Sequence, residues 1–343
     1  MVTDDELESI GVFPYETYSN SLDLKDILIG NGFSINLCNR LRYNSLCDLF
    51  SNSASAEILA MFKEFNTTNF EVLLEGLSNA QIVNKVLNNQ QPVLSKLKEE
   101  LKNGLISTIQ ATHPRASEIN DHLLRSLAFE LSEFDDIYTT NYDVFLYKII
   151  LANNSLVERS LEDFEEFADG FYEDHSTGKL AFDDFDYKPR NLIYLHGALF
   201  FFDPNGVTVK LTRLDDGVEY IKLIKQYLDN DEFPVYVAEG NSDSKLEAIN
   251  NNYYLRMAYS RFKNRDGNLA TYGFSFSKSD KHIIGAINMS TTKNIIASIY
   301  PKSTLIETQK EMSRISNLFP NIAVSFFNYA SLFNFKDPVK YYI

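Results

Sequence analysis

The segment Asp26-Ile27-Leu28-Ile29-Gly30-Asn31-Gly32-Phe33-Ser34 decides the fold, because it joins a short apolar strand to a turn with two glycines. Gly30 and Gly32 let the backbone turn sharply and approach a diphosphate without a clash from a Cβ atom. Ser34 can cap the following helix or donate to a phosphate oxygen. The alternative is a strand-to-helix turn whose glycines serve the backbone geometry only, since a third glycine at the usual spacing is missing.

Three later segments have the same arrangement, in which an apolar stretch ends in small or polar residues. They are Thr139-Thr140-Asn141-Tyr142-Asp143, Tyr194-Leu195-His196-Gly197 and Tyr272-Gly273-Phe274-Ser275-Phe276-Ser277. In an open parallel sheet, ligands bind at the carboxyl ends of the strands. The four segments therefore predict an α/β fold with a Rossmann-like parallel sheet and one nucleotide site at its edge.

The side chains at two of these strand ends suit chemistry on a ribose. Asn141 can both donate to and accept from a ribose hydroxyl group or a water. His196 is the one histidine of five that directly follows an apolar strand and precedes a glycine, and histidine is the usual acid–base group near neutral pH. Asp143 can cap the next helix, and for both Asp143 and His196 a purely structural role is the alternative. His282, close to the fourth segment, is a candidate supporting residue.

The composition excludes several classes of protein. The chain has 343 residues, of which 44% are hydrophobic and 23% are charged, which is an ordinary globular balance. No apolar run approaches the roughly 20 residues that span a bilayer, and the acidic N-terminus lacks the features of a signal peptide. The formal net charge of −15 disfavours binding to nucleic acid, because such a surface repels phosphate groups. Membrane and nucleic-acid partners are therefore not expected.

Cysteine usage predicts a reducing, cytoplasmic setting. Only Cys38 and Cys47 occur, without a Cys-x-x-Cys pair, which argues against a disulfide scaffold and against a cysteine-built zinc site.

The negative charge of the chain also disfavours binding of a free anionic dinucleotide. Any such ligand must therefore be held by local backbone N–H groups and a helix N-terminus rather than by bulk attraction.

The spacing of apolar residues predicts one domain over residues 1–343 that contains three insertions. Residues from about 44 to 132 show helical spacing over a length that exceeds a simple crossover helix. Residues from about 155 to 186, the acidic segment, carry eleven Asp or Glu against two cations. That balance predicts either a folded, solvated insertion or an arm that binds a partner. Residues from about 200 to 268 are predicted to form an α/β excursion.

Within the excursion, helical patterns occur at 213–228 and 243–263, around a short strand at 234–237. The scaffold itself is predicted from six apolar stretches with strand character. These stretches lie at 26–30, 136–139, 191–195, 269–272, 294–300 and 322–327.

Taken together, these residues resemble the sirtuin-like NAD-consuming proteins. Ile29 to Ser34 resembles the phosphate loop Gly-Ala-Gly-x-Ser of that family, with Asn31 in place of the alanine. Thr139 to Asp143 resembles its Thr-Gln-Asn-x-Asp motif, and His196-Gly197 resembles its catalytic His-Gly pair. Gly273-Phe274-Ser275 resembles the later Gly-x-Ser loop, which contacts the adenosine half of NAD.

A bacterial sirtuin-like family, known as a domain of unknown function, gives the more specific resemblance. It rests on Val237-Ala238-Glu239-Gly240, on Lys245 and on the segment from Gly273 to Ile283. The resemblance to the sirtuin pattern covers the scaffold strands and not the insertions. The four-cysteine zinc module of the protein deacylases is missing, and so a peptide groove is not expected. What is left resembles the sirtuin-like NAD hydrolases of bacterial anti-phage defence.

The resemblance implies that the chain uses NAD as its substrate, with Asn141 and His196 as catalytic residues and without a metal. It implies that eight further residues bind NAD, which are Gly30, Asn31, Gly32, Ser34, Thr140, Asp143, Gly273 and Ser275. It also implies release of nicotinamide and ADP-ribose, with gating by a homo-oligomer or by a partner protein of a defence system. The acidic segment is a candidate gate, and a solvated surface excursion is its alternative. The rival functions are a non-catalytic sensor of NAD or ADP-ribose, and an NAD-dependent protein deacylase or ADP-ribosyl transferase.

Overall fold

The computed structural model describes residues 2–38, 43–68, 70–89, 91–112, 120–158, 165–175, 179–185, 190–211, 227, 234–237 and 242–335. Two β-sheets and the helices around them form within this part of the chain. No helix among these residues is long and apolar enough to cross a membrane.

The larger sheet has eight strands, and every strand runs parallel to its neighbours. In spatial order the strands are β1 (Val12–Phe13), β13 (Ala323–Asn328), β12 (Thr291–Ile299), β11 (Asp266–Tyr272), β2 (Asp26–Ile29), β3 (Asp136–Thr139), β7 (Arg190–Tyr194) and β4 (Phe167–Ala168). The central strands are mostly apolar and buried, as expected for a parallel sheet that is covered on both faces.

The register of the central strands places the four polar turns at one level. Ile29 pairs with Thr139 on one side and with Tyr272 on the other, and Thr139 pairs with Tyr194. These four residues are the last of β2, β3, β11 and β7. Because the strands are parallel, the turns that follow them meet at the carboxyl edge of the sheet.

Helices cover the sheet and form the long insertion between β2 and β3. Within the described residues they are α1 (Asp4–Ser9), α2 (Glu16–Ser19), α3 (Asn31–Leu37), α4 (Tyr43–Phe50), α5 (Ala56–Glu64), α6 (Phe70–Val86), α7 (Pro92–Thr112), α8 (Asp121–Leu131), α9 (Phe145–Glu158), α10 (Ser242–Asn251), α11 (Tyr253–Asn264), α12 (Lys281–Met289) and α13 (Leu305–Ser316). The rings of Phe50, Phe62 and Phe70 pack at centroid distances of 5.3–6.5 Å. The helices of the insertion therefore pack around apolar rings that are part of the common hydrophobic core.

The smaller sheet has five antiparallel strands. In spatial order they are β10 (Pro234–Tyr236), β8 (Gly197–Phe202), β9 (Val209–Lys210), β6 (Lys179–Phe182) and β5 (Phe171–Asp174). Phe171 and Phe201 of this sheet contact each other at 4.6 Å, and both contact the Tyr254 ring of α11. The sheet is thereby packed against the helix that leads into β11.

The predicted fold class is confirmed, since the parallel sheet contains all six predicted scaffold strands and the segment between β2 and β3 is helical. Two other segments differ from the prediction. The described part of the acidic segment is folded, as the first alternative predicted, but it forms the strands β4, β5 and β6 with buried phenylalanines rather than a solvated excursion. The pattern at 243–263 is two helices, because Asn252 caps α11 by accepting the Leu255 N–H. The pattern at 213–228 lies outside the described residues, apart from Tyr227.

Candidate active site

A cavity of about 400 Å³ lies at the carboxyl edge of the parallel sheet. Eight of the ten predicted site residues line this first cavity, which are Asn31, Gly32, Thr140, Asn141, Asp143, His196, Gly273 and Ser275. The other two, Gly30 and Ser34, lie behind it and accept hydrogen bonds from Asn141. The structure therefore brings the four polar turns together around one cleft.

Asn141 is held by a series of hydrogen bonds behind the first cavity. Its Nδ2 donates to the Gly30 carbonyl at 3.1 Å and to Ser34 Oγ at 3.0 Å. Ser34 Oγ donates its one proton to Asp143 Oδ2 at 2.5 Å. Because the Gly30 carbonyl and the Ser34 oxygen can then only accept, the Asn141 amide must turn its NH₂ group towards them. Asn141 Oδ1 is left buried and without a hydrogen-bond partner.

This unpartnered oxygen indicates that a ligand completes the site. Buried polar atoms in native proteins nearly always have a partner, and an unsatisfied acceptor costs about 1–3 kcal/mol. Asn141 is only 5% exposed, yet it lines the first cavity. A hydroxyl group or a water that binds in the cavity can donate the missing hydrogen bond.

The structure corrects two expectations about Ser34 and refines one about Asp143. Ser34 does not cap a helix, because it lies inside α3 and is fully buried. Its proton is committed to Asp143 and is not free for a phosphate oxygen. Asp143 does cap α9, since its Oδ1 accepts the Phe145 N–H at 2.9 Å. Burial raises the pKa of the Asp143 carboxyl group, and the hydrogen bonds from Ser34 and Phe145 offset part of that rise.

The glycines of the first turn are required by contact with the fourth turn. A Cβ atom on Gly30 would lie 2.6 Å from the Gly273 carbonyl oxygen, and one on Gly32 would lie 2.6 Å from Gly273 Cα. The N–H groups of Gly30 and Gly32 donate to the carbonyls of Tyr272 and Gly273, both at 2.9 Å. The fourth turn therefore uses these two N–H groups, and backbone donors for a diphosphate have to come from other residues.

Replacing Gly32 by alanine tests this close contact. Its Cβ would overlap backbone atoms that cannot rotate away, so we expect the free energy of unfolding to fall by about 2 kcal/mol or more. Chemical denaturation of purified protein measures the change. Gly285→Ala is the matched control, because Gly285 lies in α12 with space for a Cβ, where alanine adds up to about 1 kcal/mol of stability. Equal stability of Gly32→Ala and the wild type would contradict the contact.

His196 lies where the chain leaves the parallel sheet and enters the antiparallel one. Its carbonyl accepts the Val237 N–H at 2.9 Å. Gly197 has a φ of 70°, and a Cβ on it would overlap the Val235 carbonyl oxygen. The glycine of the His-Gly pair is therefore needed for the close approach of β8 to β10, and this approach fixes the backbone of His196.

The His196 side chain is paired with a second buried histidine. Its Nε2 lies 2.9 Å from Nε2 of His282, and the two rings stack at 5.1 Å. On the far side of His282, Nδ1 lies 3.2 Å from Ser242 Oγ. Burial and the charge of Lys245 lower the pKa of both imidazoles, that of His196 well below its usual 6.5 and that of His282 to about 4. Both rings are therefore neutral at neutral pH, and His196 is able to accept a proton.

The buried Lys245 and the partly exposed Asp280 form an ion pair in the wall of the first cavity. Lys245 Nζ lies 3.2 Å from Asp280 Oδ1, and Lys245 is 1% exposed. Asp280 Oδ2 also accepts from Ser277 Oγ at 2.8 Å. Apart from the family resemblance at Lys245, no local pattern marks this pair, because α10 and the turn before α12 meet only in the folded chain. Among the described residues, no group of three His, Cys, Asp or Glu side chains could hold a metal ion.

A second cavity of about 390 Å³ adjoins the first. The two share Gly32, Ile35, Gly273, Phe274 and Ser275, so that the contact between the first and fourth turns lies between them. The remaining wall of the second cavity is formed by Asn36, Tyr272, Ser298, Ile299, Tyr300, Lys302, Glu311, Ile315 and Tyr329. Together the cavities form a long groove along the carboxyl edge of β2, β11 and β12.

The described part of the acidic segment lies away from this groove. None of its described residues lines either cavity. Phe167, Phe171, Phe182 and Phe185 are buried, and Phe171 packs on Phe201. Phe164 of the same segment lies outside the described residues. The described part of the segment is thus built into the two sheets, which gives no support to a gate across the cleft.

A sequence model of one protein family, described as Domain of unknown function (DUF4917), matches residues 27–332. The chain belongs to the DUF4917 family. A comparison with curated proteins finds no match. Among solved structures, the chain is similar to one described as "Structural Basis for the Mechanism and Regulation of Sir2 Enzymes", with 11% identity and a TM-score of 0.30. That similarity covers 87% of this chain and 95% of that chain.

The DUF4917 match includes all ten predicted site residues, the helices α4 to α8 and the whole smaller sheet. The insertions therefore lie within the extent of the family. The description of DUF4917 assigns no activity, so the function of this member has to be inferred from the site itself.

Proposed function

We propose that this DUF4917 protein is an NAD glycohydrolase, which cleaves NAD to nicotinamide and ADP-ribose. The observation that carries the proposal is the buried, unpartnered Oδ1 of Asn141 in a cavity that is also lined by the neutral imidazole of His196. The first group can accept a hydrogen bond from a ribose hydroxyl or a water, and the second can accept a proton. Hydrolysis at a ribose carbon requires these two functions.

The proposed reaction needs few other groups. The bond between C1′ and the nicotinamide nitrogen breaks with its electron pair on nicotinamide, which leaves as a neutral molecule and needs no general acid. A water oxygen bonds to C1′, and one proton is released. The protein has to orient the ribose, stabilise the developing positive charge and remove that proton. None of these steps requires a metal.

In this proposal Asn141 and His196 act on the bound substrate, and the groups behind the cavity wall position Asn141. Asn141 Oδ1 holds the ribose hydroxyls or the attacking water, and His196 acts as the general base on the water or through a hydroxyl. Ser34 and Asp143 keep the Asn141 amide in the orientation that leaves Oδ1 free. The Gly30 carbonyl has the same effect from the other side.

The two adjoining cavities support a dinucleotide rather than a single nucleoside. Cavities of about 400 and 390 Å³ are each within the usual range of ligand pockets, roughly 300–1,000 Å³. We propose that the nicotinamide riboside half lies in the first cavity and the adenosine half in the second. Gly273 and Ser275 line both, and so they contact the diphosphate between the halves. Because Gly30 and Gly32 have no free N–H, Asn31 and Thr140 of the first cavity assist Ser275.

Incubation of purified protein with NAD tests the proposal. Chromatography of the reaction is expected to show nicotinamide and ADP-ribose in equal amounts, together with loss of NAD. Binding of NAD or ADP-ribose without release of nicotinamide would instead favour a sensor. Labelling of added protein with ADP-ribose, or loss of an acyl group from an added acyl-lysine peptide, would favour the transferase or the deacylase. Neither binding nor release would contradict a nucleotide site altogether.

The pH dependence of turnover follows from the lowered pKa of His196. The neutral fraction of a base with the ordinary pKa of about 6.5 falls about 10-fold when the pH is lowered from 7.5 to 5.5. Because burial keeps the pKa of His196 well below 6.5, we expect kcat/KM for NAD to change less than about 3-fold between pH 7.5 and 5.5. The pKa of His282 is also lowered, so stability is lost as the pH falls from 6.5 towards 4. Near-UV circular dichroism at each pH controls for unfolding, and a 10-fold loss of kcat/KM in folded protein would contradict the expectation.

We also propose that NAD depletion by this protein serves anti-phage defence, and that self-association or a defence partner gates it. The proposal rests on the resemblance to the sirtuin-like NAD hydrolases and on the chemistry, because an NAD hydrolase that is always active would deplete its own cell. Cells that produce the wild type are expected to lose NAD on phage infection and to resist the phage. Equal resistance of cells that produce the His196→Ala variant would contradict a role for the activity.

A further inference from the structure

The contact between His196 and His282 couples the protonation of the two rings. Their Nε2 atoms lie 2.9 Å apart, and both side chains are buried. Two N–H groups would repel each other at this distance, and two lone pairs would leave buried atoms unsatisfied. One Nε2 must therefore carry a proton and donate a hydrogen bond, and the other Nε2 must accept that hydrogen bond. If His196 Nε2 donates, its Nδ1 keeps the lone pair and His282 carries its proton on Nδ1.

Ser242 extends this pair to the edge of the fold. Its Oγ lies 3.2 Å from Nδ1 of His282 and accepts the backbone N–H of the same residue at 2.7 Å. A serine oxygen can accept two hydrogen bonds and still donate its own proton. Ser242 is also partly exposed, whereas both histidines are buried. Ser242, His282 and His196 therefore form a continuous series from the surface to the wall of the first cavity.

The proposed reaction creates a need for such a series. Each hydrolysis of NAD releases one proton, and the base that takes it is buried. The charged form of His196 is disfavoured by burial, by Lys245 and by His282, so the proton is not stable there. In this proposal the substrate displaces the water of the first cavity other than the attacking molecule, which leaves the far side of the ring as the route for the proton.

We propose that His282 and Ser242 form a proton relay, which carries the proton from His196 to the solvent during NAD hydrolysis. As His196 Nδ1 takes a proton from the attacking water, its Nε2 proton passes to His282 Nε2. The Nδ1 proton of His282 passes to Ser242 Oγ, and the hydroxyl proton of Ser242 passes to solvent. Every group stays neutral, and the tautomers reset through water after the products leave. The relay rests on the proposed hydrolase function and assigns a positioning role to His282 and Ser242.

The surroundings of His282 favour this neutral transfer. Lys245 of α10 and Asp280, just before α12, form their ion pair beside the histidines. Tyr259 of α11 donates its hydroxyl proton to the His282 carbonyl at 2.9 Å, and its ring lies 6.4 Å from the imidazole. Lys245 disfavours a second positive charge, so a proton that reaches His282 has to be passed on rather than stored.

Replacing His282 by glutamine tests the relay, because an amide can occupy the site but cannot pass a proton on. We expect NAD turnover to fall by about 10-fold or more with KM within about 3-fold of the wild type, since proton transfer contributes to the rate and not to binding. In mixtures of H₂O and D₂O, the wild-type rate is expected to curve with deuterium content, and the His282→Gln rate to be linear. Ser242→Ala should lose turnover while Ser242→Thr, which keeps the hydroxyl group, retains it.

The exposed His122 of α8 provides the matched control, and His122→Gln should leave turnover unchanged. Wild-type turnover and curvature in His282→Gln would overturn the relay while leaving the hydrolase intact. Absence of nicotinamide release from the wild type would contradict the proposed function, and the relay with it. Nitrogen chemical shifts of the free protein at pH 7 give a reading that does not need turnover. Neutral rings with the proton on Nε2 of His196 and on Nδ1 of His282 support the relay, and a charged ring or any other pair of tautomers overturns it.

Discussion

Replacing His196 by alanine is expected to lower nicotinamide release by about 100-fold or more, the scale on which a positioned base contributes. The variant should still bind NAD, because the Asn141 network and the second cavity do not involve the His196 side chain. Initial rates with saturating NAD measure the loss, and calorimetry measures the binding. Removal of the imidazole also leaves His282 Nε2 without its partner, so stability has to be measured alongside.

The matched control for His196 is His122→Ala, which removes an exposed imidazole on α8. Its turnover should equal that of the wild type. If His196→Ala retains wild-type turnover while it remains folded, the assignment of His196 as the base is wrong. A loss of turnover that coincides with loss of NAD binding would instead place His196 in binding rather than in proton transfer.

Replacing Asn141 by alanine is the second change with a large expected effect. It removes the unpartnered Oδ1 and also the hydrogen bonds to Gly30 and Ser34. We expect turnover to fall by about 100-fold or more, as for removal of one pre-organised polar group that acts at the reacting centre. The lost hydrogen bonds should lower the free energy of unfolding by about 1–3 kcal/mol, which denaturation measures separately.

Two comparisons isolate the role of the Asn141 oxygen. Asn264→Ala, at the exposed end of α11, should leave both turnover and stability close to those of the wild type. Ser34→Ala keeps Oδ1 but removes the group that orients the amide, so it should lower turnover less than Asn141→Ala. Equal turnover of Asn141→Ala and the wild type would exclude Oδ1 from the reaction.

The carboxyl edge of the parallel sheet could be predicted because each of its strands is a short apolar run that ends in a polar turn. Residues 26–29, 136–139 and 269–272 show this change in polarity without any information from the rest of the chain. A parallel sheet then requires the turns to meet. This is why Asn141, His196 and Ser275, which lie far apart in the sequence, line the same cavity.

Apart from β10, which corresponds to the strand predicted at 234–237, the strands of the smaller sheet could not be predicted in the same way. β8 is a run of Gly197-Ala198-Leu199-Phe200-Phe201-Phe202 that is buried along its whole length, so no alternation of polar and apolar residues marks it. β9 is only two residues long. Elements of that length are set by their partners in the folded chain and not by local preference.

Within the site, residue types were more predictable than their partners. Gly30 and Gly32 are the residues that the turn needs, but the atoms that exclude a Cβ belong to Gly273 and Phe274, more than 240 positions away. Similarly, the His196 contact with His282 spans 86 positions. Long-range contacts of this kind leave no periodic signal, and the sequence therefore predicts the chemistry of a side chain better than the group that holds it.

Hydrolysis of NAD in water enriched in ¹⁸O tests the central claim most directly, because the proposed mechanism forms the new bond between C1′ and a water oxygen. Mass spectrometry of the product is expected to show ADP-ribose with one ¹⁸O atom at C1′, together with an equal amount of nicotinamide. Unlabelled ADP-ribose kept in the same water corrects for spontaneous exchange. Release of nicotinamide with the ADP-ribose attached to another acceptor, or with a cyclised product that lacks ¹⁸O, would contradict hydrolysis. Recovery of intact NAD from folded protein that binds the nucleotide would contradict catalysis.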